Sequence, residues 1–167
     1  MKKAAVIMGS DSDLPVLEKC FKTLSELSVP FEAHVFSAHR TPEEARSFSL
    51  NARENGFGVL IAAAGMAAHL AGALAANTTL PVIGIPIKSK CFDGMDALLS
   101  TVMMPPGIPV GAVGVDAGKN AALFAAEILS VSDEALADRL QKMRDESKKE
   151  VLQKDKTVFD KYADGLR

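Results

Sequence analysis

The sequence predicts an α/β fold: a three-layer, doubly wound parallel sheet, flavodoxin-like in order by analogy, with a long C-terminal helix. Three observations carry that prediction. Short apolar runs recur at Ala4–Met8, Phe31–Phe36, Val59–Ala63, Val82–Ile85 and Val110–Val115. They are rich in Val, Ile and Ala and alternate little, as strands covered on both faces should. Helix-length segments separate them, and strand–helix alternation argues a doubly wound sheet. Short polar signatures follow the first three runs, where an open parallel sheet places its ligands.

The elements follow in order. After the run Ala4–Met8, Gly9-Ser10-Asp11-Ser12-Asp13 turns the chain into a helix over Leu14–Leu27. After Phe31–Phe36, Ser37-Ala38-His39-Arg40-Thr41-Pro42 opens a helix over Pro42–Asn55. Its start is well marked: Thr41 as cap, Pro42 in the first turn, and Glu44 to complete a capping box. Asn55-Gly56 is the matching stop. After Val59–Ala63, Ala64-Gly65-Met66-Ala67-Ala68-His69-Leu70 leads into a small-residue helix over Ala67–Ala76. Helices over Met95–Met103 and Lys119–Leu129 complete the alternation.

From Ser132 the character changes. Ser132-Asp133-Glu134 starts a long charged helix that reaches at least Lys154, with a thin apolar stripe at Leu136, Leu140, Met143, Val151 and Leu152. Such a helix either lies solvated on its own domain or packs on a neighbouring subunit. No linker or repeat divides the chain, so residues 1–167 are expected to form one domain, with an α/β core over 1–130 and a helical arm over 131–167.

Composition bounds the function. A chain of 167 residues, 48% apolar and 24% charged, can bury a full core. A net charge of −2 with scattered basic residues gives no nucleic-acid footprint. No segment has the length of a membrane span, and the apolar run after Lys2-Lys3 is too short for a signal peptide. The cytoplasm is therefore expected. Cys20 and Cys91 have no metal-ligand or CxxC spacing; Cys20 reads as a core residue and Cys91 as a loop residue near the site.

The loops carry the chemistry. Gly9 permits a tight turn, and helix-terminal amides with the hydroxyls of Ser10 and Ser12 suit a phosphate. Asp13 can accept from sugar hydroxyls or simply cap the helix. Arg40 can grip a phosphate with two parallel hydrogen bonds, and His39 can move protons near neutral pH. His69, past a small-residue turn, can orient a carboxylate, take part in proton transfer, or sit as a satisfied core histidine. His34, inside a strand, is given no role. Neither a Walker motif, GxGxxG, HExxH nor GxSxG is present, so nothing points to a dinucleotide, a metal or a serine nucleophile.

The three signatures, in this order and spacing, resemble the carboxyaminoimidazole ribonucleotide mutase family of purine biosynthesis. Further agreement lies at Pro81-Val82-Ile83-Gly84-Ile85-Pro86, Ser89, Gly94, Asp96, Leu98-Leu99-Ser100 and Asn120-Ala121-Ala122-Leu123, so the resemblance spans about residues 4 to 130. It implies interconversion of N5-carboxyaminoimidazole ribonucleotide and 4-carboxyaminoimidazole ribonucleotide by decarboxylation, trapping of carbon dioxide and recarboxylation, without cofactor or metal. By the same resemblance, Ser10, Ser12 and Arg40 hold the 5′-phosphate and Asp13 the ribose hydroxyls. The resemblance makes His39 the general acid/base; the Gly65–Leu70 turn, which includes Ala67, encloses the base and the carbon dioxide with His69; Ser37 and Ser89 line the pocket. A homo-octamer with sites at subunit boundaries is implied as well.

Leu14, Phe92 and Met103 depart from the family pattern, and the stretch Asp116-Ala117-Gly118-Lys119 is shorter than in many members. Two other functions remain to be separated. One is the family's second class, which carboxylates aminoimidazole ribonucleotide directly. The other is a non-catalytic nucleotide-binding module, against which the adjacency of His39 and Arg40 counts.

Overall fold

The computed structural model describes residues 1–163. Its centre is a five-stranded parallel sheet of β1 (Lys3–Met8), β2 (Phe31–Val35), β3 (Phe57–Gly65), β4 (Val82–Ile87) and β5 (Gly111–Ala112). The order is β2-β1-β3-β4-β5, the flavodoxin-like arrangement expected by analogy. The helices are α1 (Leu14–Glu26), α2 (Pro42–Asn51), α3 (Leu70–Ala75), α4 (Met95–Val102), α5 (Gly118–Ser130) and α6 (Glu134–Tyr162).

The central strands bury both faces, which explains their unbroken apolar runs. Ala4, Val6 and Met8 of β1 join Val59, Ile61 and Ala63 of β3 in a core shared with α1, α5 and the start of α6. Ala5 and Ile7 join Leu60 and Ala62 on the opposite face, against α2 and α3. A strand with period-two geometry and two covered faces has no polar side to show. The helices lie close to the sheet and to each other. A methyl added at Gly118 would overlap the carbonyl oxygen of Val16, so glycine sets the approach of α5 to α1.

The structure corrects several boundaries. β2 is an edge strand with Glu32, Ala33 and Val35 exposed, so the expectation of two covered faces fails there. β5 has two residues rather than the six of Val110–Val115, because only Gly111 and Ala112 pair with β4. β4 runs through Pro86 to Ile87, past the expected end at Ile85. Proline has no N–H to give a ladder, yet Pro86 is still registered opposite Ala64. α2 stops at Asn51, and turns lead to Gly56 at φ +84°. α3 begins at Leu70, because Ala67–His69 form a turn held by Ala68 N–H to Met66 O and His69 N–H to Ala67 O.

The expected capping box on α2 does not form. The Thr41 side chain caps no α2 amide. Its hydroxyl instead accepts from the Ser37 amide at 2.8 Å, which closes the preceding loop on itself. The long helix does start as read: Asp133 accepts from the Leu136 amide at 2.9 Å. Leu136 and Leu140 are buried with α5, and Arg139 Nε donates to the Leu27 carbonyl at 2.8 Å, at the end of α1. From Arg144 to Tyr162 every residue is exposed, including Val151 and Leu152 of the expected stripe. The proximal arm thus lies on the core and the distal arm does not. Residues 164–167 of the expected arm lie outside the described residues. No helix among the described residues is long and apolar enough to cross a membrane.

Candidate active site

β1 and β3 lie side by side, and their outgoing connections run to opposite sides of the sheet. A crevice opens at such a switch point, beyond the carboxyl ends of the strands. The loops after β1, β2, β3 and β4 meet there around a cavity of about 890 Å³. Every residue singled out from the sequence lines it: Ser10, Ser12, Asp13, Ser37, His39, Arg40, Gly65, Ala67, His69 and Ser89. Residues as distant in sequence as Ser10 and Ser89 become neighbours because parallel strands all deliver their loops to one edge.

The loop after β1 forms the polar floor. A single 3-10 turn over Asp11–Asp13 runs into α1. Ser10 caps the turn, its hydroxyl accepting from the Ser12 amide at 3.3 Å and from the Ser12 hydroxyl at 2.9 Å. The helix-cap reading of Asp13 fails: its carboxylate accepts from no α1 amide and accepts from the Ser12 hydroxyl at 3.3 Å. Asp13 is buried, at 7% exposure. Burial pushes its carboxyl above the usual range, and the charges of Asp11 and Asp116 push the same way against the Ser12 and Ser10 hydrogen bonds. A buried carboxylate short of donors is suited to a ligand that brings its own.

Arg40 lies across the cavity with its guanidinium on the Gly9 carbonyl, Nη2 donating at 2.8 Å. This brings a cation to the main chain next to Ser10. The Ser37 hydroxyl accepts from the Arg40 amide at 3.2 Å, which fixes the loop that carries His39. His39 and His69 meet here: His39 Nε2 lies 2.8 Å from His69 Nδ1, with the rings edge-on at 85°. His69 is exposed in the cavity, so the core-histidine reading does not hold. His34 has no part in this group; it stacks on Phe36, centroids 5.1 Å apart.

Small residues form the wall. Gly65 ends β3 and Ala67 follows before His69, with Met66 between them at φ +55°. A side-chain carbon at Gly65 would come 3.3 Å from the Ile87 carbonyl oxygen, so glycine fits the sheet tightly there. The fourth side is the segment after β4. Ser89 donates to Asp96 at 3.1 Å, and Lys88 pairs with Asp93 at 3.0 Å, which holds the ammonium in its charged form. Cys91 and Phe92 reach the cavity from the same segment. Lys88 was not found from the sequence, because ending the strand at Ile85 leaves it mid-loop; the two further residues of β4 put it at a strand end. Among the described residues, no group of three or more His, Cys, Asp or Glu side chains is placed to hold a metal ion.

The family model for AIR carboxylase matches residues 3–150. The chain belongs to the AIR carboxylase family. Within that family it is 54% identical over 149 residues to the N5-carboxyaminoimidazole ribonucleotide mutase of Pyrococcus abyssi, covering 89% of this chain and 86% of the relative. It is 50% identical over 150 residues to the N5-carboxyaminoimidazole ribonucleotide mutase of Bacillus subtilis, covering 89% and 93%. The crystal structure of Treponema denticola PurE superposes with a TM-score of 0.83 at 28% identity, covering 93% of this chain and 97% of that one. The AIR carboxylase match takes in all five strands and the whole cavity, and it ends within α6.

Proposed function

We propose that this chain interconverts N5-carboxyaminoimidazole ribonucleotide and 4-carboxyaminoimidazole ribonucleotide in purine biosynthesis. The observation that carries the reading is the meeting of His39 and His69 in one cavity with Ser10, Ser12, Asp13 and Arg40. It is supported by relatives at 54% and 50% identity that bear the mutase name.

The substrate has three parts to hold. The 5′-phosphate lies on the Ser10 and Ser12 hydroxyls at the start of α1, with the Arg40 guanidinium turned from the Gly9 carbonyl onto its oxygens. The ribose hydroxyls donate to the Asp13 carboxylate, which is short of donors. The imidazole base then lies beneath Gly65 and Ala67, near His39 and His69, with Ser37 and Ser89 at the margins.

The chemistry needs one proton moved twice. The bond between the exocyclic nitrogen and its carboxylate breaks, its electron pair stays on nitrogen, and carbon dioxide is released into the cavity. His39 donates a proton to that nitrogen as general acid. The ring carbon then attacks carbon dioxide through the enamine electrons, and His39 removes the proton left on that carbon. Atoms and charge return to their starting sum, so the net reaction is an isomerisation that uses neither cofactor nor metal. His69 holds the His39 ring at the required angle. The Gly65–Ala67 wall keeps water from the freed carbon dioxide.

The enzyme acts in the cytoplasm as a single domain with a C-terminal helical arm, assembled as a homo-octamer. Exposed apolar residues support assembly: Met95, Leu99, Val102 and Met103 on the outer side and end of α4, and Val158, Phe159 and Tyr162 on distal α6. Sedimentation equilibrium gives the copy number.

The deciding experiment supplies synthetic N5-carboxyaminoimidazole ribonucleotide in bicarbonate-depleted buffer and follows ultraviolet absorbance. Appearance of the ring-carboxylated product supports the mutase. Product only from aminoimidazole ribonucleotide plus bicarbonate assigns the direct carboxylase. No product from either leaves a non-catalytic nucleotide-binding module.

A further inference from the structure

We propose that Asp116, which does not line the cavity, is a positioning residue that anchors the segment Lys88–Asp96 over the site and so limits loss of carbon dioxide during turnover. The inference rests on the mutase reading above. The segment supplies Lys88, Ser89, Lys90, Cys91, Phe92 and Asp96 to the cavity wall, so its position sets how closed the cavity is.

Both feet of the segment stand on the turn that follows β5. At the first foot, the Asp116 amide donates to the Pro86 carbonyl at 2.9 Å, and its carboxylate accepts from the Lys88 amide at 2.9 Å. One residue thus clamps the exit of β4 on both sides of Ile87. At the second foot, Gly94 stands at φ +90° with Val115 packed where a side chain would be. The Lys88–Asp93 ion pair and the Ser89–Asp96 hydrogen bond tie the span between the feet. Asp116 holds φ +55°, a left-handed conformation that Asp and Asn tolerate better than most residues. The side chain at this position is therefore chosen twice: once for the turn and once for the acceptor it offers Lys88. Its negative charge also reaches Asp13 and Lys88, which places it electrically within the site it does not line.

The consequence concerns partition. While carbon dioxide is free in the cavity, the ring carbon and the exit compete for it. If it escapes, the protonated nitrogen remains and aminoimidazole ribonucleotide leaves with it. A loosened segment raises that loss while leaving the phosphate grip at Ser10, Ser12 and Arg40 unchanged.

The test compares Asp116→Gly, which relieves the backbone and removes the acceptor, with Asp116→Asn, which retains both the turn and the acceptor. The parent enzyme is first shown to convert N5-carboxyaminoimidazole ribonucleotide. Failure there overturns the mutase reading, whereas the anchor is judged separately by hydrogen exchange at the Lys88 amide. In Asp116→Gly, kcat is expected to fall about tenfold, with KM within about twofold of the parent. The share of substrate released as aminoimidazole ribonucleotide is expected to rise, and the Lys88 amide to exchange roughly tenfold faster. Asp116→Asn is expected to restore all four values toward the parent. Unchanged partition in a folded Asp116→Gly overturns the proposal, as does equal leakage from Asp116→Asn. If the glycine variant does not fold, the parent decides: a Lys88 amide that exchanges as fast as an unstructured peptide overturns the anchor.

Discussion

The imidazoles of His39 and His69 meet edge-on, with Nε2 of one 2.8 Å from Nδ1 of the other. Only one proton fits between two such nitrogens, so the rings constrain each other. If His39 is protonated on both nitrogens, it donates to His69, whose Nδ1 must then be bare. The pair belongs to two strands: His39 follows β2 and His69 follows β3.

The proposed roles of the pair, chemistry at His39 and orientation at His69, predict unequal losses. His39→Asn is expected to lower kcat by 10²-fold or more, the usual scale for a lost general acid/base. His69→Asn leaves His39 in place without its partner, and a smaller loss of about tenfold is expected. Steady-state kinetics on both variants checks the order; a His39→Asn enzyme with near-parental kcat overturns the acid/base role.

Arg40→Ala removes the cation at the main chain next to Ser10. Charge-assisted bonds to a phosphate contribute about 1.5–3 kcal/mol. KM is therefore expected to rise roughly 10- to 100-fold, with a smaller effect on kcat. Added inorganic phosphate should inhibit the parent competitively and the variant weakly.

Ionised Asp13 costs the fold stability. Its carboxyl is pushed upward, first by burial. The native state therefore holds its proton to higher pH than the unfolded chain does. Between the ordinary aspartate value of 3.8 and the raised native one, stability falls as pH rises, and the loss is complete above that window. Asp13→Asn removes the charge, and at pH 7 it should melt roughly 2–4 °C higher than the parent while binding substrate more weakly. The thermal advantage should shrink as pH falls toward 4. Melting curves at both pH values check it; a variant less stable at pH 7 would show that ionised Asp13 stabilises the fold.

The two cysteines should differ in reactivity. Cys20 is fully buried on the inner face of α1, and burial pushes its thiol up to about 12. Cys91 is exposed at the cavity. A thiol reagent is expected to label Cys91 in the native protein and Cys20 only after unfolding. Saturating substrate should slow labelling of Cys91; equal rates with and without it would place the ligand away from the Lys88–Asp96 segment.

Much of this arrangement was legible in the chain, for physical reasons. Strands buried on both faces must be apolar throughout, so β1 and β3 announced themselves, and alternation with helices implied the parallel order. Because parallel strands deliver their loops to one edge, the chain alone groups Ser10, His39, Arg40 and His69. Local chemistry was less decisive. Thr41 reads as a helix cap, yet its hydroxyl serves Ser37, since a loop amide competes for the same acceptor. Asp13 reads equally as a cap, and only burial beneath the cavity gives it another part.

The sequence by itself determined the fold class and the polar loops that supply the site, because periodicity and loop chemistry are properties of short stretches of chain. The tertiary structure alone decided that His39 and His69 touch, that Asp116 reaches Lys88 across 28 positions, and that β5 ends after two residues. Those are relations between distant segments. They are fixed by how the packed helices and strands set the distance between loops, which neither segment records in its own residues.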